Sequence, residues 1–402
     1  MKTTIIKIAT TTLFISTVTV AQTPITDKKG VGAKEASLEI KSQSKEWKSK
    51  YKFFGFSQIG VRLGDGATAD NQNGDYKFEA DRIRLGWKYF SGPIAGKVFL
   101  DFVKEGKDNS GIGVPNLIKD AFISYKFNSS AIVKAGVIKT PVGMGFTIPG
   151  WNLDVIKRGF DKRLAFERGF GLMLSGRAIG GSAKVNGLEV GHERPYNGFG
   201  YDIMIAGQVG RSGAVVGANS GDDNAYMGRI MYDRGQALHL ETSYGISKSA
   251  GGIDIDDSII GNQGTEDYKV FNFGIDSHFE RSNIKAEYYN VQNIRGDDDW
   301  TMATLALTGT YYFSDVIEGA VKHIIGSEGR HGVDSDVSNT YFGINYYINP
   351  KNAKMDRKAR KGRNQHRIQL NYVLADGDTN SFKGVGSFFR DDTILVQYQF
   401  KF

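Results

Sequence analysis

Beyond residue 50 the chain repeatedly alternates apolar and polar side chains over segments of about ten residues. In the final one, Ile394-Leu395-Val396-Gln397-Tyr398-Gln399-Phe400-Lys401-Phe402, every even position is apolar and the odd ones from Gln397 are polar. Such a segment is a strand with one greasy and one wet face. Alternation and turn chemistry place strands near 51–63, 77–90, 96–105, 117–127, 131–139, 169–178, 199–208 and 225–233. Eight more are expected near 236–247, 268–279, 283–293, 300–313, 315–326, 339–349, 364–375 and 392–402, making an even total of sixteen.

The connections alternate as well. Short ones rich in turn formers, such as Ser91-Gly92-Pro93, Asn128-Ser129-Ser130 and Arg234-Gly235, follow even strands. Long ones dense in Gly, Asp and Asn follow odd strands: 64–76, 106–116, 140–168, 209–224, 248–267, 328–338 and 376–391. The connections 179–198 and 350–363 break the rule. A meander with unlike ends predicts an all-β, transmembrane antiparallel β-barrel of about 16 strands. No segment holds the ~18 uninterrupted apolar residues of a membrane-spanning helix. Only a closed barrel then satisfies every backbone amide in lipid. An aromatic residue ends several even strands, Phe90, Phe127, Tyr232, Phe279, Phe313 and Tyr347, with Phe402 closing the set. Rings at one level predict an interfacial girdle.

Composition refines this picture. Gly is 51 of 402 residues and aromatics are 12%, a pairing that suits curved strands with lipid-facing rings; the 7 Pro mark no linker. Absence of Cys excludes disulfides, thiolate metal sites and a lipoprotein anchor. The formal charge of +7 is local, because Lys351 to Arg367 carries eight basic residues against Asp356 alone. A broad nucleic-acid-binding surface is therefore not expected. Lys2 and Lys7 flank a modest apolar stretch before Thr19-Val20-Ala21-Gln22, the pattern of a cleaved signal peptide. The expected organisation is a signal over 1–21, a periplasmic lead-in over 22–50 and a barrel over 51–402.

Strand alternation assigns faces. Ile83, Leu85, Trp87 and Tyr89 point to lipid, leaving Arg82, Arg84 and Lys88 as a lumen ladder, with Lys134, Arg177 and Arg229 among further inward cations. Lys126, Lys285 and Arg367 share that face with Asp202, Glu241, Asp276 and Glu287, so paired wall residues are the alternative reading. The longest connection, Thr140 to Arg168, carries Lys157, Arg158, Lys162, Arg163 and Arg168 beside Asp154, Asp161 and Glu167. A wide barrel needs narrowing, and a long third loop folded into the lumen supplies it. Basic side chains at that constriction lower the barrier for anions. A solvent-exposed loop is the alternative.

Ile118-Lys119-Asp120-Ala121-Phe122-Ile123, Ala135-Gly136-Val137-Ile138-Lys139-Thr140-Pro141 and Glu167-Arg168-Gly169-Phe170-Gly171-Leu172-Met173-Leu174-Ser175-Gly176 resemble the phosphate-selective porin O and P family over about residues 51–402. The resemblance implies a sixteen-stranded outer-membrane barrel of a Gram-negative bacterium, usually homotrimeric, with an inward third loop, a basic lumen ladder and no catalysis. The family's additional fifth-loop lysine has no clear counterpart. Residues 248–267 hold Asp254, Asp256, Asp257, Glu266 and Asp267 against Lys248 alone.

The six His carry no metal-ligand spacing, and no nucleophile elbow, P-loop or dinucleotide fingerprint occurs. The reading is thus a passive outer-membrane channel for small solutes, preferring anions such as phosphate, with no cofactor, metal or nucleic acid. Its partners are small anions, the lipid bilayer and lipopolysaccharide. A non-selective porin, a barrel enzyme and a soluble all-β binding protein are the alternatives.

Overall fold

The computed structural model describes residues 47–64, 76–103, 117–180, 184–185, 188–189, 194–195, 197–207, 224–235, 237–248, 266–348, 365–377 and 389–402. The expected signal peptide, most of the lead-in and the basic stretch from Lys351 to Arg363 lie outside them. Sixteen antiparallel strands close into a barrel. They are β1 (Lys50–Leu63), β2 (Tyr76–Ser91), β3 (Ile94–Asp101), β4 (Ile118–Asn128), β5 (Ala131–Lys139), β6 (Arg168–Ile179), β7 (Asn197–Gly207) and β8 (Asn224–Arg234). They continue as β9 (Leu238–Ser247), β10 (Tyr268–Phe279), β11 (Ser282–Gln292), β12 (Trp300–Tyr312), β13 (Ile317–Arg330), β14 (Val333–Tyr347), β15 (His366–Gly377) and β16 (Thr393–Lys401). Each strand pairs with its sequence neighbour, and β16 returns to β1 from Phe56↔Lys401 to Leu63↔Ile394. Closure leaves no sheet edge.

The outer face is greasy because alternate positions are. Along β16, Ile394, Val396, Tyr398 and Phe400 are exposed, whereas Leu395, Gln397 and Gln399 are buried on the inner side. Five of the girdle aromatics share the outer face: Phe127, Tyr232, Phe279, Phe313 and Phe402. Two do not. Tyr347 is 1% exposed and its hydroxyl donates to Glu318, while Tyr346, 45% exposed, takes the outer position. Phe90 lies on the same side of β2 as Lys88, because β2 keeps strict alternation from Arg82 onward.

The connection expected at 328–338 is instead a tight hairpin. β13 and β14 pair out to Arg330↔Val333, joined by His331 (φ 49°) and Gly332 (φ 75°). Two consecutive positive φ values are the signature of the type I′ turn, whose twist matches its strands. The irregular connection after β6 contains a short hairpin, Lys184–Val185 paired with Leu188–Glu189.

A β-bulge between Gln58 and Ile59 of β1, facing Arg82 and Ala80 of β2, inserts Asp81 as an extra residue. Below the bulge Arg82 and Arg84 face the lumen; above it Glu79 and Asp81 do, both contacting Lys157. The lumen face of one strand therefore changes sign within two residues.

The third loop, 140–167, lies inside the barrel. It contains one helical turn, Met144–Thr147, and two 3-10 turns, Gly150–Asn152 and Phe160–Leu164. Its backbone is tied to the wall from β9 round to β1. Gly143 N–H donates to Ser243 (3.1 Å), Gly145 N–H to both Glu287 oxygens (2.9 Å) and Ile156 N–H to Asn371 (2.7 Å). The loop's carbonyls accept in turn: Leu153 from Arg367 (2.8 Å), Asp154 from Asn345 (2.9 Å) and Gly150 from Gln58 (3.1 Å). Phe146, Ile156, Phe160, Leu164 and Phe166 join inward-facing Met204, Met227, Ile324, Tyr341 and Leu395 in one buried cluster. Each large apolar side chain so buried contributes roughly 1.5–3 kcal/mol. The loop is thereby part of the protein's core, filling a lumen that sixteen strands leave too wide for wall side chains alone.

Candidate functional site: a basic constriction

A cavity lies between the loop and β2–β5. It has a volume of about 90 Å³ and is lined by Arg82, Arg84, Lys97, Lys119, Lys139, Arg158, Lys162 and Arg168, against Asp120 and Glu167, with Phe99, Phe146 and Trp151 completing its wall. Eight cations face two carboxylates.

Six of these cations are held in two ways, by carboxylates or by neutral oxygens. Arg84 pairs with Asp101 (2.9 Å). Asp120 accepts from both Lys97 and Arg168, the latter at 3.0 Å, and Lys162 lies 3.2 Å from Glu167. Arg82 donates to Gln58 (2.5 Å), which also bonds Gln399 (2.6 Å). Arg158 donates to the loop's own carbonyls at Gly145 and Ile148. Among the described residues, neither Arg82 nor Arg158 pairs with a carboxylate. Neutral acceptors fix these guanidinium groups without cancelling their charge. Burial, reinforced by neighbouring Arg82 and Arg84 and opposed by Asp161, pulls the Arg158 pKa down to about 9. It still carries its proton at neutral pH.

Of the constriction residues expected from the sequence, Arg158, Lys162 and Arg168 meet at this cavity with Arg82 and Arg84. Lys157 turns away to Glu79 (2.6 Å) and Asp81. The side chain of Arg163 lies outside the described residues. Lys88 stands below the cavity over Phe54, and Lys134 over Phe122.

Arg177 and Arg229 are elsewhere. They share Asp202, at 2.9 and 2.5 Å, and Arg229 reaches Glu241 at 3.3 Å. His239 lies between Asp233 (3.0 Å) and Glu241 (3.1 Å). The two arginines, 5% and 7% exposed, form a paired network in the wall of β6–β9.

Lys97, Lys119 and Lys139 were not among the expected site residues. Alternation along β3 places Lys97, Phe99 and Asp101 on one face and would have found the first. Only the inward path of the third loop identifies Trp151 and Phe146 as cavity walls.

No known protein-family profile matches the chain, and no curated protein matches it in sequence. Solved structures do match in fold. OmpT of Vibrio cholerae, folded in vitro, superposes with a TM-score of 0.57 at 12% identity, over 88% of this chain and 98% of its own. OmpF of Salmonella typhi in complex with daunomycin gives 0.55 at 13% identity, over 88% and 98%. An anion-selective porin from Comamonas acidovorans gives 0.54 at 16% identity, over 88% and 100%. The chain thus has the sixteen-stranded, porin-like barrel of bacterial outer membranes.

Proposed function

We propose that the protein is an outer-membrane channel through which small hydrophilic solutes diffuse passively, and that its constriction favours anions. One observation carries the reading: a cavity between the inward loop and β2–β5 is lined by eight cations and two carboxylates. A fixed excess of positive charge at a narrow, low-dielectric passage lowers the barrier for anions and raises it for cations. Arg82 and Arg158, held by neutral acceptors, carry the selectivity, with the carboxylate-paired Arg84, Lys162 and Arg168 around them, whereas Arg177 and Arg229 serve the wall. The fold it shares with an anion-selective porin supports the same reading. Inorganic phosphate and similar anions are the solutes proposed, in keeping with the sequence's resemblance to phosphate-selective porins. A homotrimer in a lipopolysaccharide-containing outer membrane is the assembly proposed. Catalysis, a cofactor and nucleic-acid binding form no part of this function.

Reversal potentials in planar bilayers under a potassium chloride gradient test it. Anion-over-cation permeability is expected, with phosphate added on one side lowering chloride conductance. A cation-preferring or non-conducting protein would overturn the reading.

A further inference from the structure

One row of side chains crosses the seam where the barrel closes. Gln399 of β16, Gln58 of β1 and Arg82 of β2 are direct cross-strand partners. Their hydrogen bonds fix which way each amide faces. The Gln58 amide nitrogen donates to Gln399 Oε1 (2.6 Å) and to the Gly150 carbonyl of the inward loop (3.1 Å). An amide NH2 has two hydrogens, so both are used and Oε1 is left to face Arg82. That oxygen accepts from Arg82 Nη1 at 2.5 Å. Gln399 is held in turn, since its amide nitrogen donates to the Trp151 carbonyl (3.3 Å) and its Oε1 also accepts from Arg367 (3.3 Å).

The loop leaves room for the arginine. A Cβ at Gly150 would lie 3.0 Å from Arg82 Nε and 3.1 Å from Cδ, so the glycine lets the side chain run against the loop backbone.

Arg82 has carboxylates nearby that it does not take. Asp81, its neighbour in sequence, already accepts from Lys157 and from Gln397 (2.5 Å). Asp101 stands opposite Arg84 in the β2–β3 register and is therefore the diagonal neighbour of Arg82, a separation that a long side chain spans. Asp101 Oδ2 accepts from Arg84 (2.9 Å), whereas its buried Oδ1 has no hydrogen-bond partner among the described residues. Opposite charge and an unmet acceptor both draw a guanidinium there. Asp101 does not line the cavity, so that move would take one positive charge off the cavity wall.

Resting on the anion-preferring channel reading, we propose that Gln58 is a positioning residue for selectivity: it holds the Arg82 guanidinium at the cavity and away from Asp101. Gln399 and the Gly150 carbonyl decide which end of the amide meets the arginine. One neutral side chain thereby couples the inward loop to the Arg82 station.

The test measures reversal potentials of purified, folded channels in planar bilayers for the parent, Gln58→Met, Arg82→Met and the double variant. Methionine matches glutamine in length, and Gln58→Met leaves every formal charge in place, so charge counting alone predicts no effect. The anion-over-cation permeability ratio should fall about two- to threefold in Gln58→Met, the order expected when a unit charge shifts by several ångströms beside a passing ion. It should fall at least as far in Arg82→Met, and adding Gln58→Met to that variant should change nothing further. Gln58→Ser, too short to reach Arg82, reads the same effect if Gln58→Met does not fold. A Gln58 variant with the parent's ratio, whatever its thermal stability, would overturn the positioning role and leave the channel reading intact. A further fall in the double variant would also overturn it, by showing that Gln58 acts through the loop and not through Arg82. A parent without anion preference would overturn the channel reading and this inference together.

Discussion

Two stretches of the same lumen wall treat arginine in opposite ways. On β6–β9, Arg177 and Arg229 converge on Asp202 and Glu241, with Ser175 donating to Asp202 at 2.6 Å. On β1–β3 and the inward loop, Arg82 and Arg158 are fixed by neutral oxygens and Arg84 by both a carboxylate and phenyl rings. Pairing inside a protein cancels charge and braces the wall; neutral seating keeps charge and gives it to the lumen. Residue type alone does not separate the two roles. The partner does.

Substitutions can break that comparison. The largest effect belongs to the neutral-seated side: Arg82→Glu combined with Arg158→Glu moves the constriction by four charge units. It should abolish or invert anion preference in reversal-potential measurements. Next comes Asp202→Asn, which leaves two buried guanidinium groups without their shared carboxylate. Loss of one partner of a buried pair costs about 3–5 kcal/mol, so the denaturant midpoint of the barrel should fall sharply. Its permeability ratio should stay near the parent's. A large change in selectivity there would show that the two walls are not functionally distinct.

A smaller gain is expected from Asp120→Asn, which removes the acceptor shared by Lys97 and Arg168 and should raise anion preference at low salt, where screening is weak. The smallest effect is that of alkaline pH. Arg158 is the conjugate acid of a base whose pKa is lowered to about 9. Its charge is complete at neutral pH and is lost as pH rises through that value. Anion preference should therefore be flat from pH 6 to 8 and decline towards pH 10, and the decline near pH 9 should be absent in Arg158→Gln. A parent flat to pH 10 would contradict that assignment.

Much of the fold was legible because barrels are built from local rules. Alternation found all sixteen strands, and it turned Arg82, Arg84 and Lys88 inward because a strand has only two faces. It failed where a local device resets the count. The aromatic pattern puts residue 347 on the outer face, which its neighbour Tyr346 holds instead. His331-Gly332 reads as a loop in sequence, yet makes a two-residue turn because both residues adopt positive φ. The extra residue Asp81 is invisible until β2 is laid against β1.

The site was legible in part. Arg158, Lys162 and Arg168, grouped by the charge pattern of the third loop, line one cavity with Arg82 and Arg84. Lys157 has the same charge and an adjacent position, but faces Glu79 and Asp81. Such partners are set by pairings between residues far apart in sequence, as Gly145 and Glu287 are, and no local pattern encodes them.

The inward loop bonds to strands on opposite sides of the cylinder, from Ser243 on β9 to Gln58 on β1. It acts as a spoke as well as a stopper. A hollow tube squeezed by its surroundings becomes oval, but one with a cross-brace keeps its section. The aperture is then set by the brace and is insulated from the lateral pressure of the bilayer, so the same constriction should persist in membranes of different thickness and stiffness.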